Sequence, residues 1–178
     1  MHLIIAINGV LCIIFATFVV GTQKMHVMKK LILTAVFAIA AIASSSGQKL
    51  MIGEKAPDLK IKEWLNQSPS QGTVRLIEFF HSTNEQSRER LSVLDNYANK
   101  YSGLTVILVA REDKAIVENA VRSSSRSFPI GIDDNGKTFS AYSVQYIPFS
   151  VLVDEKGRVI WFGNSSNLQE NFISNALK

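Results

Sequence analysis

One cysteine stands in the 178 residues, at position 12, and the chain runs from there to its end without another. A disulfide framework is excluded, so a packed apolar core has to hold the fold. Histidine is almost as scarce: after His2 and His26 only His81 remains. A zinc site of the usual cysteine and histidine kind is thereby excluded beyond the leader, and no metal or other cofactor is expected. Excess charge is lacking as well. Lys24, Lys29 and Lys30 are the only charged side chains before residue 48, and residues 48–178 carry 16 basic against 15 acidic groups. That balance leaves no basic footprint for nucleic acid.

What is present begins with two apolar runs, LIIAINGVLCIIFATFVV (3–20) and LILTAVFAIAAIA (31–43). The second follows Met28-Lys29-Lys30 and leads into the small residues AIASSSGQ, the pattern of a secretory signal peptide over 28–47. Thirteen helical residues reach about 20 Å, short of the ~30 Å hydrocarbon core. Cleavage after Ala43 or Gly47 leaves Ser44 or Gln48 first, and the folded domain is taken as 48–178. The run at 3–20 has two readings. Either residues 1–27 precede the true initiator, Met28, or they form an N-terminal anchor with its lysine-rich flank toward the cytoplasm. Export to the periplasm is expected, membrane-anchored there only if 3–20 is retained. Cys12 is no lipidation signal, because Leu11 stands where a small residue is required.

Beyond the leader, an alternating segment around Leu59–Trp64 precedes a Ser/Pro/Gly loop. TVRLIEFF (73–80) and LTVILVA (104–110) read as buried strands. Between them Leu91, Leu94, Tyr97, Ala98 and Tyr101 recur at helical spacing, and two overlapping capping boxes, Ser82-x-x-Glu85 and Thr83-x-x-Gln86, open that helix. A second helix follows with Ile116, Val117, Ala120 and Val121 on one face. SFPIGIDDNGKTFSAYSV gives a strand, a DDNG turn and a short helix; PFSVLVDEKGRVIWFG a hairpin; NLQENFISNALK a closing helix with Leu168, Phe172 and Ala176 inward. The order β-β-α-β-α-β-α-β-β-α predicts one α/β domain: a parallel sheet covered on both faces, with antiparallel strands added by the hairpin.

That order, with GEKAPDL at the entry, LIEFFHSTNEQSR at the central turn and YSVQYIPFSVLVDEKGRVI near the end, resembles the thioredoxin-like fold. More narrowly it resembles exported TlpA/ResA-type proteins of the alkyl hydroperoxide reductase/thiol-specific antioxidant group. The resemblance spans roughly residues 50–177 and implies a central mixed sheet with helices on both faces. Members typically read F-W-A-T-W-C-x-x-C-R at the turn. Here Phe79, Phe80 and Arg88 keep the frame, while Asn84 and Ser87 fall at the two cysteine positions. An amide forms no nucleophile and a serine hydroxyl ionises too weakly to replace a thiolate, so the resemblance implies a family frame without its disulfide exchange.

The same resemblance makes Ile147–Pro148 a cis bond and gives its loop a role in offering backbone groups to an extended protein or peptide partner. His81, Tyr146, Ile147 and Pro148 are the candidate binding residues, with Phe80 and Phe149 either lining the groove or belonging to the core. Glu78 stands where relatives carry a buried acid; it is either a relic of that acid or a strand-end group reaching water or Arg75. His81 beside Ser82, Thr83 and Ser87 raises a non-thiol hydrolytic chemistry as the enzymatic alternative. The structural alternative is a degenerate paralogue. No catalytic residue is assigned.

Overall fold

The computed structural model describes residues 50–70, 73–122 and 128–178. Both apolar runs, Cys12 and the two cleavage points lie outside the described residues.

The sheet is built outward from two runs buried on both faces. Val74–Phe80 (β2) and Leu104–Ala110 (β3) pair in parallel, Val74 opposite Leu104 through Phe80 opposite Ala110. Their near-continuous apolar sequence is what a strand needs when helices cover both sides. Ile130–Ile132 (β4) joins β3 in parallel, and Glu63–Trp64 (β1) closes that edge antiparallel to β4. On the other side of β2, Phe149–Val153 (β5) and Val159–Gly163 (β6) form the expected hairpin, both antiparallel. The mixed sheet reads β1-β4-β3-β2-β5-β6. The strand expected around Leu59–Trp64 shrinks to two residues because the backbone before it turns aside: the Lys60 N–H donates to Thr138 Oγ1 at 2.8 Å.

One face of the sheet packs Leu76, Val106, Leu108 and Leu152 against Leu91, Leu94 and Tyr97 of Glu85–Lys100 (α1), with Val117 of Lys114–Ala120 (α2) and Ile173 of Glu170–Ala176 (α4). The other packs Ile77, Phe79, Ile107, Val109 and Val151 against Phe139 within Lys137–Ala141 (α3), Tyr142 just beyond its end, and the lead-in segment from Leu50. Phe79 is the hub there, 5.0 Å from the Phe139 ring and 5.3 Å from Tyr142. Tyr142 donates its hydroxyl to the Pro57 carbonyl at 2.6 Å, fastening the lead-in; burial pushes its phenol pKa well up. Tyr142→Phe should cost about 1 kcal/mol, read by urea unfolding, because the carbonyl loses its donor while the ring stays packed.

Two helix faces depart from the spacing argument. Ile116 is exposed while Val117 and Val121 are buried, because the seven-residue α2 sets its stripe on 117 and 121 and turns 116 outward. In α4 the core residue is Ile173, and Phe172 lies on the rim beside Trp161 at a ring separation of 6.3 Å. The helix begins only at Glu170, after a 3-10 turn at Ser165–Asn167, so counting from Leu168 gives the wrong phase.

Candidate functional site

At the end of β2 the chain turns through His81–Asn84 into α1, closed by the Asn84 N–H donating to His81 O at 3.1 Å. The cap is neither Ser82 nor Thr83 but Asn84, in extended backbone (φ −82°, ψ 116°), whose Oδ1 accepts from the Ser87 N–H at 2.8 Å. Asn is among the best N-cap residues, its carbonyl satisfying one of the orphan N–H groups of the first turn. Ser82 is unavailable for that role. Its N–H donates to Glu112 Oε2 at 2.7 Å and its hydroxyl to Glu112 Oε1.

The other half of the Asn84 amide reaches across the fold: Nδ2 donates to the Ile147 carbonyl at 3.2 Å. The Ile147–Pro148 bond is cis. One side chain thus pins the start of α1 to the Pro148 loop. Ser87, the companion position, is buried, and its Oγ accepts from the His81 N–H at 3.4 Å. Beside this junction Tyr146 is 50% exposed, edge-on to Phe149 at 5.5 Å, and Phe149 in turn meets the partly exposed Phe162 at 6.3 Å. Asn84→Ala should cost about 1 kcal/mol in urea unfolding for the lost cap, with the loop tie lost in addition.

No family model matches the chain. A thiol-disulfide oxidoreductase ResA of Bacillus cereus (strain ZK / E33L) is 26% identical over 120 residues, covering 64% of this chain and 69% of that protein. The sporulation thiol-disulfide oxidoreductase A of Bacillus subtilis (strain 168) is 24% identical over 97 residues, 51% of this chain and 59% of its own. Among solved structures, the thioredoxin domain of a thiol-disulfide oxidoreductase from Bacteroides vulgatus superposes with a TM-score of 0.60 at 18% identity, covering 72% of this chain and 96% of that one. The chain has the thioredoxin-like fold.

Within this thioredoxin-like frame the candidate residues divide. Asn84, Ile147 and Pro148 come together with Tyr146 beside them, whereas Phe80 and Phe149 belong to the core. His81 faces elsewhere. Its Nδ1 lies 3.1 Å from Thr83 Oγ1 and 3.5 Å from Glu112 Oε1. A nucleophile-base-acid relay needs the hydroxyl and the carboxylate on opposite ring nitrogens. Here both crowd the same one, and Ser82 is spent on Glu112, so no such relay forms. Glu112 is the residue that spacing arguments missed, yet the β2/β3 register points to it: with Phe80 opposite Ala110, position 82 falls opposite 112.

Glu78 neither reaches water nor pairs with Arg75. It is fully buried, its carboxyl group in hydrogen-bond contact with Ser165 Oγ at 2.6 Å and with Ser150 Oγ. Burial pushes its pKa up to about 7, with the two hydroxyls and the charge of Arg90 opposing that rise. Asp133-Asp134 belongs to a turn: Asp133 Oδ2 accepts from the Phe139 N–H at 2.9 Å, Gly136 adopts φ +64°, and Asp134 pairs with Lys62 at 2.6 Å. Among the described residues no group of three His, Cys, Asp or Glu side chains could hold a metal ion, and no helix is long and apolar enough to cross a membrane.

Proposed function

We propose that this is a redox-inactive thioredoxin-fold protein of the cell envelope that binds an extended protein or peptide segment at the face formed by Asn84, Tyr146, Ile147 and Pro148. The observation that carries the reading is the Asn84 amide. It occupies a cysteine position of the family pattern and holds the helix start and the Pro148 loop in register through two hydrogen bonds, without offering a nucleophile. The half-exposed Tyr146 next to that junction supplies an aromatic anchor of the kind that binding faces favour. Strand addition would draw on the backbone donors and acceptors of this loop. The envelope address rests on the signal-peptide pattern of 28–47, with an anchor at 3–20 as its alternative.

The test is a pull-down from a cell-envelope fraction with the native protein, Tyr146→Asp and Lys156→Ala. Lys156 sits in the β5–β6 turn and is exposed. A partner retained by the native chain and by Lys156→Ala, and lost with Tyr146→Asp, is the expected result. Retention by Tyr146→Asp would remove this face from the function.

A further inference from the structure

Four buried oxygen atoms of three side chains close a ring two residues beyond Pro148. Glu78 Oε2 meets Ser150 Oγ, Glu78 Oε1 lies 2.6 Å from Ser165 Oγ, and the two hydroxyls are 2.7 Å apart. All three side chains are fully buried. Three contacts of hydrogen-bond length need three protons, and two serine hydroxyls supply only two; Ser150 cannot donate both to Glu78 and to Ser165. The missing proton is that of the carboxyl. In the closed ring Glu78 Oε2–H donates to Ser150 Oγ, Ser150 to Ser165 Oγ, and Ser165 to Glu78 Oε1. Loss of the carboxyl proton leaves one contact as facing lone pairs and puts a bare charge in the core.

Among the described residues, the elements packed on this face offer one counter-ion. From β3, Leu108 lies opposite Glu78, and from α4 the core takes Ile173. From α1 come Tyr97 and Arg90, whose guanidinium lies 6.0 Å over the Tyr97 ring and is the cation whose charge is felt at Glu78. Arg90 Nε and Nη2 are buried with no hydrogen-bond partner. Buried guanidinium N–H groups without acceptors are costly, so these two are available to an acceptor that comes within reach.

We propose that Glu78 and Arg90 form a two-position proton switch: protonated, the carboxyl closes the ring with Ser150 and Ser165; ionised, it opens the ring and takes the Arg90 guanidinium as its counter-ion. Ser150 lies on β5 directly behind Phe149 and Pro148, and Arg90 lies on α1, so the exchange couples the loop to the helix. The ring is closed on the acid side of neutrality and open on the alkaline side, in keeping with a carboxyl pushed up to about 7.

The switch is tested by following the Glu78 carboxyl carbon and the Arg90 Nε–H resonances by NMR between about pH 5 and about pH 9 in the native protein and two variants. Both native resonances should titrate with one shared midpoint near neutrality. Arg90→Met should raise the Glu78 midpoint by about one pH unit. In Glu78→Gln, whose amide keeps the ring closed at every pH, the Arg90 signal should stop moving. A Glu78 midpoint at the ordinary value of 4.5 would overturn the switch, since the acid would then be charged inside the ring. So would an Arg90 resonance that is flat in the native protein, or one that still titrates in Glu78→Gln. The native titration decides the matter even where a variant fails to fold.

Discussion

Asn84→Cys combined with Ser87→Cys should place a working thiol pair at the start of α1, with a disulfide forming under mild oxidation and dithiothreitol-dependent reduction of insulin appearing above the buffer rate. The two side chains share the first turn of α1, as the 2.8 Å bond from the Ser87 N–H to Asn84 Oδ1 requires. A thiol at residue 84 would sit at the helix start, where the dipole and the free N–H groups favour the thiolate, and a thiol at 87 would be buried as Ser87 is. The exchange also removes the Asn84 cap and its bond to the Ile147 carbonyl, at a cost of about 1–2 kcal/mol. Turnover should therefore fall short of a true family member. A variant that folds yet never oxidises, by mass measurement of the missing hydrogen pair, would show that residues 84 and 87 do not occupy the thiol positions.

Stability should fall as pH rises between about 4.5 and about 7, and Glu78→Gln should abolish that slope. The folded-state pKa of Glu78, about 7, lies above the ordinary 4.5, so the folded protein holds this proton more tightly than the unfolded chain. The advantage is complete below the unfolded value, is lost as pH climbs through the folded value, and stays constant above it. The span amounts to about 3 kcal/mol, an order-of-magnitude figure. Glu170, whose pKa is lowered chiefly by its hydrogen bond from Lys100, acts with the opposite sign and below this window; the raised pKa values of Lys62, Lys100 and Lys114 act only far above it. Urea unfolding at pH 5 and pH 8 reads the difference, and equal stability at both in the native protein would contradict a neutral acid in the core.

The element order could be read from the sequence because the runs at 74–80 and 104–110 are apolar on both faces, and only a covered sheet accommodates such strands. The turn into α1 was legible through the resemblance that Phe79, Phe80 and Arg88 carry. Its cap was not. Ser82 and Thr83 both satisfy a local four-residue pattern, and nothing local shows that Ser82 is held by Glu112, thirty positions on. Glu78 fails to declare its surroundings for the same reason: Ser150 and Ser165 lie 72 and 87 positions away, joined to it only once the hairpin docks beside β2. The misplaced Ile116 and Phe172 reflect short helices, in which a shift of one residue moves a side chain by about 100° and exchanges rim for core.

The central claim, that the face around Asn84 and Pro148 holds a partner without thiol chemistry, is tested most directly by photo-crosslinking in living cells. A photoreactive benzoyl-phenylalanine is placed at position 146 in one strain and at position 156, in the exposed β5–β6 turn, in another. The account predicts a discrete adduct of defined mass from position 146, stable to reducing agent, and none from position 156. No adduct from position 146, or the same adducts from both positions, would contradict it.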